Sequence, residues 1–329
     1  LSPRPDENEI ADLYSNYYTH SDTQPPTFTG TLKSLVIAAT IRRKFGYATE
    51  QGSLKQLTDA ALATFPGAAD LAGAEIMWLQ AALRGTLLDI GCGNGLRLAR
   101  LRALGWKVYG IEPDRRAVEL ARKRLNSDEA IIEGTFDTAE FQERTFDVIA
   151  SHQVIEHVAD PVHFLGTAAR LLVPGGMLVL TTPNADALSH KRYGRNWFNL
   201  DPPRHFHLFS AKSLKTCISR AGLSLVCCTT TASCASGTWR ASRQLEKSDG
   251  SPQCLKITRG RLTQVAAATR FLQQHILTKY NPNVGEYLVV TANKNLPGQF
   301  AESDQIPMSR IEFSRPYCDH VPVRDSNEA

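Results

Sequence analysis

From residue 86 onward, short apolar runs of strand length alternate with amphipathic stretches. Runs at 86–90, 107–111, 130–133, 146–150 and 177–181 are separated by stretches at 96–104, 114–125 and 161–172, where apolar residues recur at helical spacing. Residues 134–145 read mostly as loop. This alternation predicts βαβ units, hence a parallel sheet with helices on both faces. Pro174-Gly175-Gly176 predicts a tight turn before the fifth strand. Further on, the pattern predicts a polar and aromatic loop at 183–209, a helix at 210–221 and a strand at 223–230. A Ser-, Gly- and Lys-rich mobile loop at 232–255, a helix at 257–277 and a last strand at 286–292 follow. Upstream, Leu32, Leu35, Val36, Ala39 and Ile41 mark a helix over 31–44. It closes on Arg42, Arg43 and Lys44, as the negative end of a helix dipole prefers. A second helix is expected over 69–83.

The first 30 residues are polar and broken by Pro3, Pro5, Pro25 and Pro26, which predicts an irregular arm with one short helix at 7–17. Residues 295–329 read as a tail without periodicity. The resulting division is an arm and helical cap at 1–84, a nucleotide-binding-type domain at 85–294 with insertions at 183–209 and 232–280, and the tail.

Composition narrows the class. At 329 residues, 42% hydrophobic and 21% charged, the chain can bury a substantial core. A net charge of +4 is too weak to argue for nucleic acid. The seven cysteines form no CxxC pair, so neither a disulfide framework nor a zinc site is expected; a cytoplasmic location fits, with the cysteines as buried packing residues. No run approaches the ~18 apolar residues of a membrane span. The polar start lacks the apolar core of a secretory leader, and the chain opens on Leu1, as a processed or shortened chain would.

The sharpest chemistry lies in Asp89-Ile90-Gly91-Cys92-Gly93-Asn94-Gly95, a glycine turn between a strand and a helix. Glycines there let a ligand approach the main chain, and the helix start offers unpaired N–H groups. Leu96 stands where a dinucleotide fingerprint needs its third glycine. Asp89 would oppose a phosphate and suits the cationic head of an amino acid instead. Glu112, at the tip of the next strand and followed by Pro113, can accept from both hydroxyls of a ribose. Amino-acid contact at the first turn and ribose contact at the second strand describe S-adenosylmethionine.

These segments resemble the first two motifs of class I S-adenosylmethionine-dependent methyltransferases. The stretch Phe146-Asp147-Val148-Ile149-Ala150-Ser151-His152-Gln153-Val154-Ile155-Glu156-His157-Val158 is similar to the fourth-strand motif of the ubiquinone-methyltransferase-like branch. Leu171-Leu172-Val173-Pro174-Gly175-Gly176 is similar to that branch's turn before the fifth strand. The segment from Asp201 to Ser210 resembles bacterial members tied to surface-sugar or secondary-metabolite pathways. The resemblance covers about residues 85–225 and implies a doubly wound, mostly parallel seven-stranded α/β sheet, Rossmann-like, whose last strand inserts antiparallel. It implies a methyltransferase that uses S-adenosylmethionine, leaves S-adenosylhomocysteine, and acts on a small-molecule, sugar or lipid-linked acceptor at oxygen. Methylation of carbon or nitrogen in secondary metabolism is the alternative. An NAD(P)-binding oxidoreductase or a non-catalytic S-adenosylmethionine-binding protein also stays open.

The expected cofactor contacts are Asp89, Gly91, Cys92, Gly93, Gly95, Glu112, Pro113, Ser151, His152 and Gln153, with Phe136 against the adenine and Thr135 or Asp137 as its polar contact. Asp147 is expected to make a local structural contact. His157, His205 and His207 are the candidate bases, with capping or packing as the alternative for His157. No carboxylate or cysteine is expected beside them, so no metal is anticipated. Tyr193, Trp197 and Phe198 form either an acceptor wall or anchors that tie their loop to the core. Arg204 in the following segment, with Tyr18 and His20 of a folded-over arm, completes the candidate acceptor site.

Overall fold

The computed structural model describes residues 31–47, 52–137, 139, 141, 143, 145–248 and 261–295. The helix expected at 7–17, together with Tyr18 and His20, lies outside the described residues, as does nearly all of the 295–329 tail.

Among the described residues, three α-helices precede the sheet: α1 (Leu32–Lys44), α2 (Ser53–Ala63) and α3 (Ala68–Ile76). The sheet and its crossovers run β1 (Thr86–Ile90), α4 (Leu96–Ala103), β2 (Lys107–Glu112), α5 (Arg115–Leu125), β3 (Ile131–Glu133), β4 (Phe146–His152), α6 (Pro161–Leu171) and β5 (Leu172–Pro183). Then come α7 (Leu188–Tyr193), α8 (Ala211–Arg220), β6 (Leu223–Thr231), α9 (Ala235–Lys247), α10 (Arg261–Tyr280) and β7 (Tyr287–Lys294).

The seven strands lie in the order β3-β2-β1-β4-β5-β7-β6. All neighbouring pairs are parallel except those of β7, which runs antiparallel between β5 and β6. The chain therefore winds outward from β1 in one direction, then restarts at β4 in the other. The crevice beyond the carboxyl ends of β1 and β4 is where such sheets bind ligands.

Local chemistry sets the helix starts. The Asp114 carboxylate accepts from the Arg116 and Ala117 amides, and Asp160 accepts from Val162 and His163 ahead of a proline at the first helical position. Ser210 and Ser213 form a reciprocal cap on α8. Asp147 holds the Thr86 amide at 2.7 Å, the structural contact expected of it. Two cores flank the sheet. One packs Ile41, Ile76, Leu98, Leu101, Val118 and Leu125 against Leu87 and Val148. The other packs Phe164, Leu165, Leu214 and Ile218 against Leu88, Ile149 and Leu178.

Several expectations need correction. The helix expected over 69–83 stops at Ile76, because Met77 and Trp78 adopt positive φ of 54° and 53°. The Trp78 indole folds back onto Gly73, occupying the space a side chain would need there. Residues 235–247 of the expected mobile loop are helix α9, whose Thr238 and Ser242 are buried. Helix α2 was not anticipated; it turns Leu54 and Leu57 outward, so it lacks an inward apolar stripe to mark it. Within 183–209 lie α7 and two short 3₁₀ turns, at Gly194–Asn196 and Phe198–Leu200. Strand β5 begins at Leu172 and runs through Pro174-Gly175-Gly176, absorbing the irregularity as a register shift against β4. Among the described cysteines only Cys92 is buried, and Cys234 is exposed. No described helix is long and apolar enough to cross a membrane.

Candidate active site

Asp89 and Ile90 end β1 beside Ala150 and Ser151 of β4 and Gly110 and Ile111 of β2. The chain then turns through Gly91, Gly93 and Gly95 at φ of 71°, 54° and 71°, a region that disfavours any side chain. The turn is also packed from both sides. A Cβ on Gly91 would lie 2.5 Å from Val154 Cγ2, and one on Gly95 would lie 2.8 Å from Ala121 Cβ. The Gly91 and Cys92 amides donate to the Ile111 carbonyl at 2.9 and 3.2 Å, and the Gly93 amide donates to Glu112 Oε2 at 2.8 Å. The turn is thus tied to the end of β2 before any ligand arrives.

Two carboxylates bracket this turn. Asp89 is fully buried, and neither of its oxygens accepts a hydrogen bond. Burial pushes its carboxyl up to about 6, against the opposing pull of the Arg97 guanidinium. Glu112 accepts from Gly93 and, through Oε1, from the Asp114 amide at 3.1 Å. Burial raises its pKa too, with these two amides pulling it down. Pro113 beside it is exposed, and Cys92 is buried against Gly110.

The end of β4 supplies the third edge. Ser151 is buried with its hydroxyl unpartnered. His152 Nδ1 lies 2.5 Å from Thr181 Oγ1, and burial holds its pKa well below the usual histidine value. Gln153, at a positive φ of 58°, donates its amide to the Thr181 carbonyl at 2.9 Å. Phe136 lies in the second core, edge-on to Phe164 with ring centres 5.2 Å apart. Thr135 and Asp137 beside it are exposed.

The histidines gather one turn further on. His157 and His205 stand edge to face with ring centres 4.7 Å apart. His157 Nδ1 lies 3.0 Å from the Arg204 carbonyl and His205 Nδ1 2.7 Å from the Asn199 carbonyl. Burial lowers His157 to about 4, with the His205 ring adding to the effect. His205 is lowered as well, mainly by burial, even though Asp201 pulls the other way. The structure corrects the expectation that no carboxylate stands here. Glu156 is fully buried, accepts the Thr182 hydroxyl at 2.9 Å, and offers an oxygen within 4.8 Å of ligand nitrogens on both His157 and His205. Burial pushes its carboxyl up to about 8, so it carries a proton at neutral pH. Its backbone carbonyl accepts the Phe206 and His207 amides, docking the 201–210 segment onto the end of β4. His207 turns toward Phe209, with Nε2 buried and unpartnered.

Arg204 is clamped by Asp201, with Nε 2.9 Å from Oδ2. Trp197 is 1% exposed and donates to Ser189 Oγ at 2.7 Å, a contact that ties its loop to α7. Tyr193 is half-buried against Trp239, and Phe198 is exposed. The sequence reading passed over Arg97 and Asp201, and over Thr181 and Glu286, whose partners His152 and Ser189 are distant in sequence. Glu156 was quoted only within a motif, although a carboxylate next to a candidate histidine was a signal in itself.

A glycine turn between two acids, at the point where strand order reverses, defines a nucleoside-binding α/β domain. Residues 61–228 match the family described as a methyltransferase domain. The chain belongs to this family of class I S-adenosylmethionine-dependent methyltransferases. It is 34% identical over 146 residues to a ubiquinone biosynthesis O-methyltransferase of Cereibacter sphaeroides, covering 42% of this chain and 59% of that protein. It is 38% identical over 110 residues to one of a Caulobacter species, covering 30% of this chain and 40% of that protein. The chain thus spans about three-fifths or less of the curated relatives it matches. A methyltransferase structure from Mesorhizobium loti aligns with 68% of this chain and 98% of its own, at 15% identity and a TM-score of 0.46.

The residues present fit S-adenosylmethionine. Asp89 keeps two buried acceptor oxygens without a donor, as the head of an ammonium-bearing ligand requires. The left-handed glycines hold the turn between Asp89 and Glu112 in a conformation that side chains disfavour.

Proposed function

We propose that the chain moves the methyl group of S-adenosylmethionine to an acidic hydroxyl of a small-molecule acceptor, a phenol in particular. The observation that carries this reading is the pair Asp89 and Glu112, held at the ends of adjacent strands across one glycine turn. When bound, S-adenosylmethionine supplies an electrophilic methyl on a positively charged sulfur. Asp89 takes the amino-acid end and Glu112 the ribose. Ser151, His152 and Gln153 line the remaining edge. Methyl transfer needs little covalent help, so the chain's task is to hold the reactants in line and away from water.

The choice of a hydroxyl rests on His157. Its Nδ1–H donates to the Arg204 carbonyl, which leaves the lone pair of the neutral ring on Nε2. With a pKa near 4, the ring is unprotonated throughout the physiological range. It is also a weak base, which favours a phenol, ionising at about 10, over an ordinary alcohol. The relatives named as ubiquinone biosynthesis O-methyltransferases support oxygen as the receiving atom. In the same reading, residues 85–294 form the catalytic domain and the helices before 85 cap it.

The test is transfer of a labelled methyl group to a panel of phenols, catechols, sugars and amines. Label is expected on a phenolic oxygen. Replacing His157 with Asn should lower kcat on the order of a hundredfold while the affinity for S-adenosylhomocysteine stays within about twofold. With S-adenosylmethionine saturating, so that Asp89 is held ionised by the bound ammonium, kcat should not fall on the acid side until the pH drops below about 5, because His157 protonates only near 4. Label confined to carbon or nitrogen, or an unimpaired His157→Asn variant, would contradict the proposal.

A further inference from the structure

Asp89 is a buried carboxylate with no hydrogen-bond donor on either oxygen. Buried carboxylates are ordinarily well supplied with donors, so this one lacks something. The cation that faces it is Arg97, whose Nη1 lies 3.7 Å from Oδ2, close enough for charge attraction and too far for a hydrogen bond. Arg97 sits in the first turn of α4, two residues past Gly95, with its side chain about one-fifth exposed. Its guanidinium thus reaches the surface beside an acid that is itself fully buried. Asp89 pairs with Ala150 at the end of β4, two residues before His152, whose pKa the Arg97 charge helps to lower.

Two opposite charges are therefore fixed side by side at one end of the site, and neither gives the other a hydrogen bond. The ammonium and carboxylate of an α-amino acid sit on a single carbon, so a receptor for both must present an acid and a base as close neighbours. We propose that Arg97 and Asp89 form that receptor, with Asp89 accepting from the ammonium of the methionyl end and the Arg97 fork donating to its carboxylate. The inference rests on the cofactor reading above and adds the group that takes the carboxylate. A guanidinium suits that role because its parallel N–H groups match the two carboxylate oxygens. Ligand binding would give Asp89 the donors it lacks.

The test compares three ligands by calorimetry: S-adenosylmethionine, its decarboxylated form, which keeps the ammonium, and 5′-methylthioadenosine, which lacks both charged groups. Wild-type protein is expected to bind S-adenosylmethionine on the order of tenfold to a hundredfold more tightly than the decarboxylated form. Arg97→Met should bind those two within about twofold of each other, and Arg97→Lys, which keeps the charge but not the fork, should fall between. Binding of 5′-methylthioadenosine should be the same for wild type and Arg97→Met, which also shows that the variant is folded. Equal weakening of all three ligands by Arg97→Met, or a wild type indifferent to the carboxylate, would overturn the inference. Wild-type protein that binds none of the three would overturn the cofactor reading and this inference together, a result distinct from the others.

Discussion

Replacing Glu112 with Ala is expected to weaken binding of S-adenosylhomocysteine by a hundredfold or more while the protein stays folded. Glu112 ends β2 with its carboxylate largely buried and aimed back at the glycine turn. Two ribose hydroxyls donating to an ionised carboxylate would contribute about 1.5–3 kcal/mol each, so losing both amounts to a factor of at least about 100. The loss is compounded at the turn itself, where the Gly93 amide would lose its acceptor. Glu112→Gln keeps the shape and one acceptor oxygen but not the charge, so its affinity should lie between the two. Calorimetric titration checks the series, with circular dichroism confirming the fold. A Glu112→Ala variant that binds within about threefold of wild type would remove the ribose contact from the account.

The largest effect on stability is expected from Trp197→Ala, at about 3–5 kcal/mol. Trp197 is among the largest fully buried side chains, stacks on His190 with ring centres 4.4 Å apart, and donates to Ser189 Oγ. Ser189 in turn donates to Glu286 Oε2 at 2.5 Å, and Trp239 donates to Oε1 of the same carboxylate at 3.0 Å. Glu286 is itself fully buried, and burial pushes its carboxyl up to about 7 against those hydrogen bonds. Removing the indole leaves a cavity and weakens the network that joins α7 and α9 to Glu286, just ahead of β7. Trp197→Phe refills most of the cavity but leaves Ser189 without its donor, so it should cost about 1–2 kcal/mol. Chemical denaturation measures both. A loss below about 1 kcal/mol for Trp197→Ala would mean that the loop is not anchored there.

The parallel half of the sheet was legible because its information is local. Strand β1 matches the apolar run at 86–90 in full, and the crossover helices start at sequence-visible caps, Asp114 and Asp160. The cofactor cradle was legible for the same reason: Asp89, the three glycines and Glu112 sit at two strand ends whose order the pattern already implied. The acceptor side was not. Helix α9 hides in a Ser- and Gly-rich stretch, and its place depends on Trp239 reaching Glu286, 47 residues away. Trp197 could be a wall or an anchor until its partners were seen. Glu156 and His205 meet only because the 201–210 segment docks by backbone hydrogen bonds on the Glu156 carbonyl. Arg97 belongs to no motif, and only the fold brings its guanidinium to 3.7 Å from Asp89.

The central claim is that Asp89 and Glu112 grip opposite ends of one sulfonium nucleoside. Titrating S-adenosylhomocysteine into wild-type protein at neutral pH tests it most directly. Saturable binding of one ligand per chain is expected, in the micromolar range or tighter and not displaced by excess NADH. A well-folded protein that gives no binding heat with this ligand, or that releases it to NADH, would contradict the account.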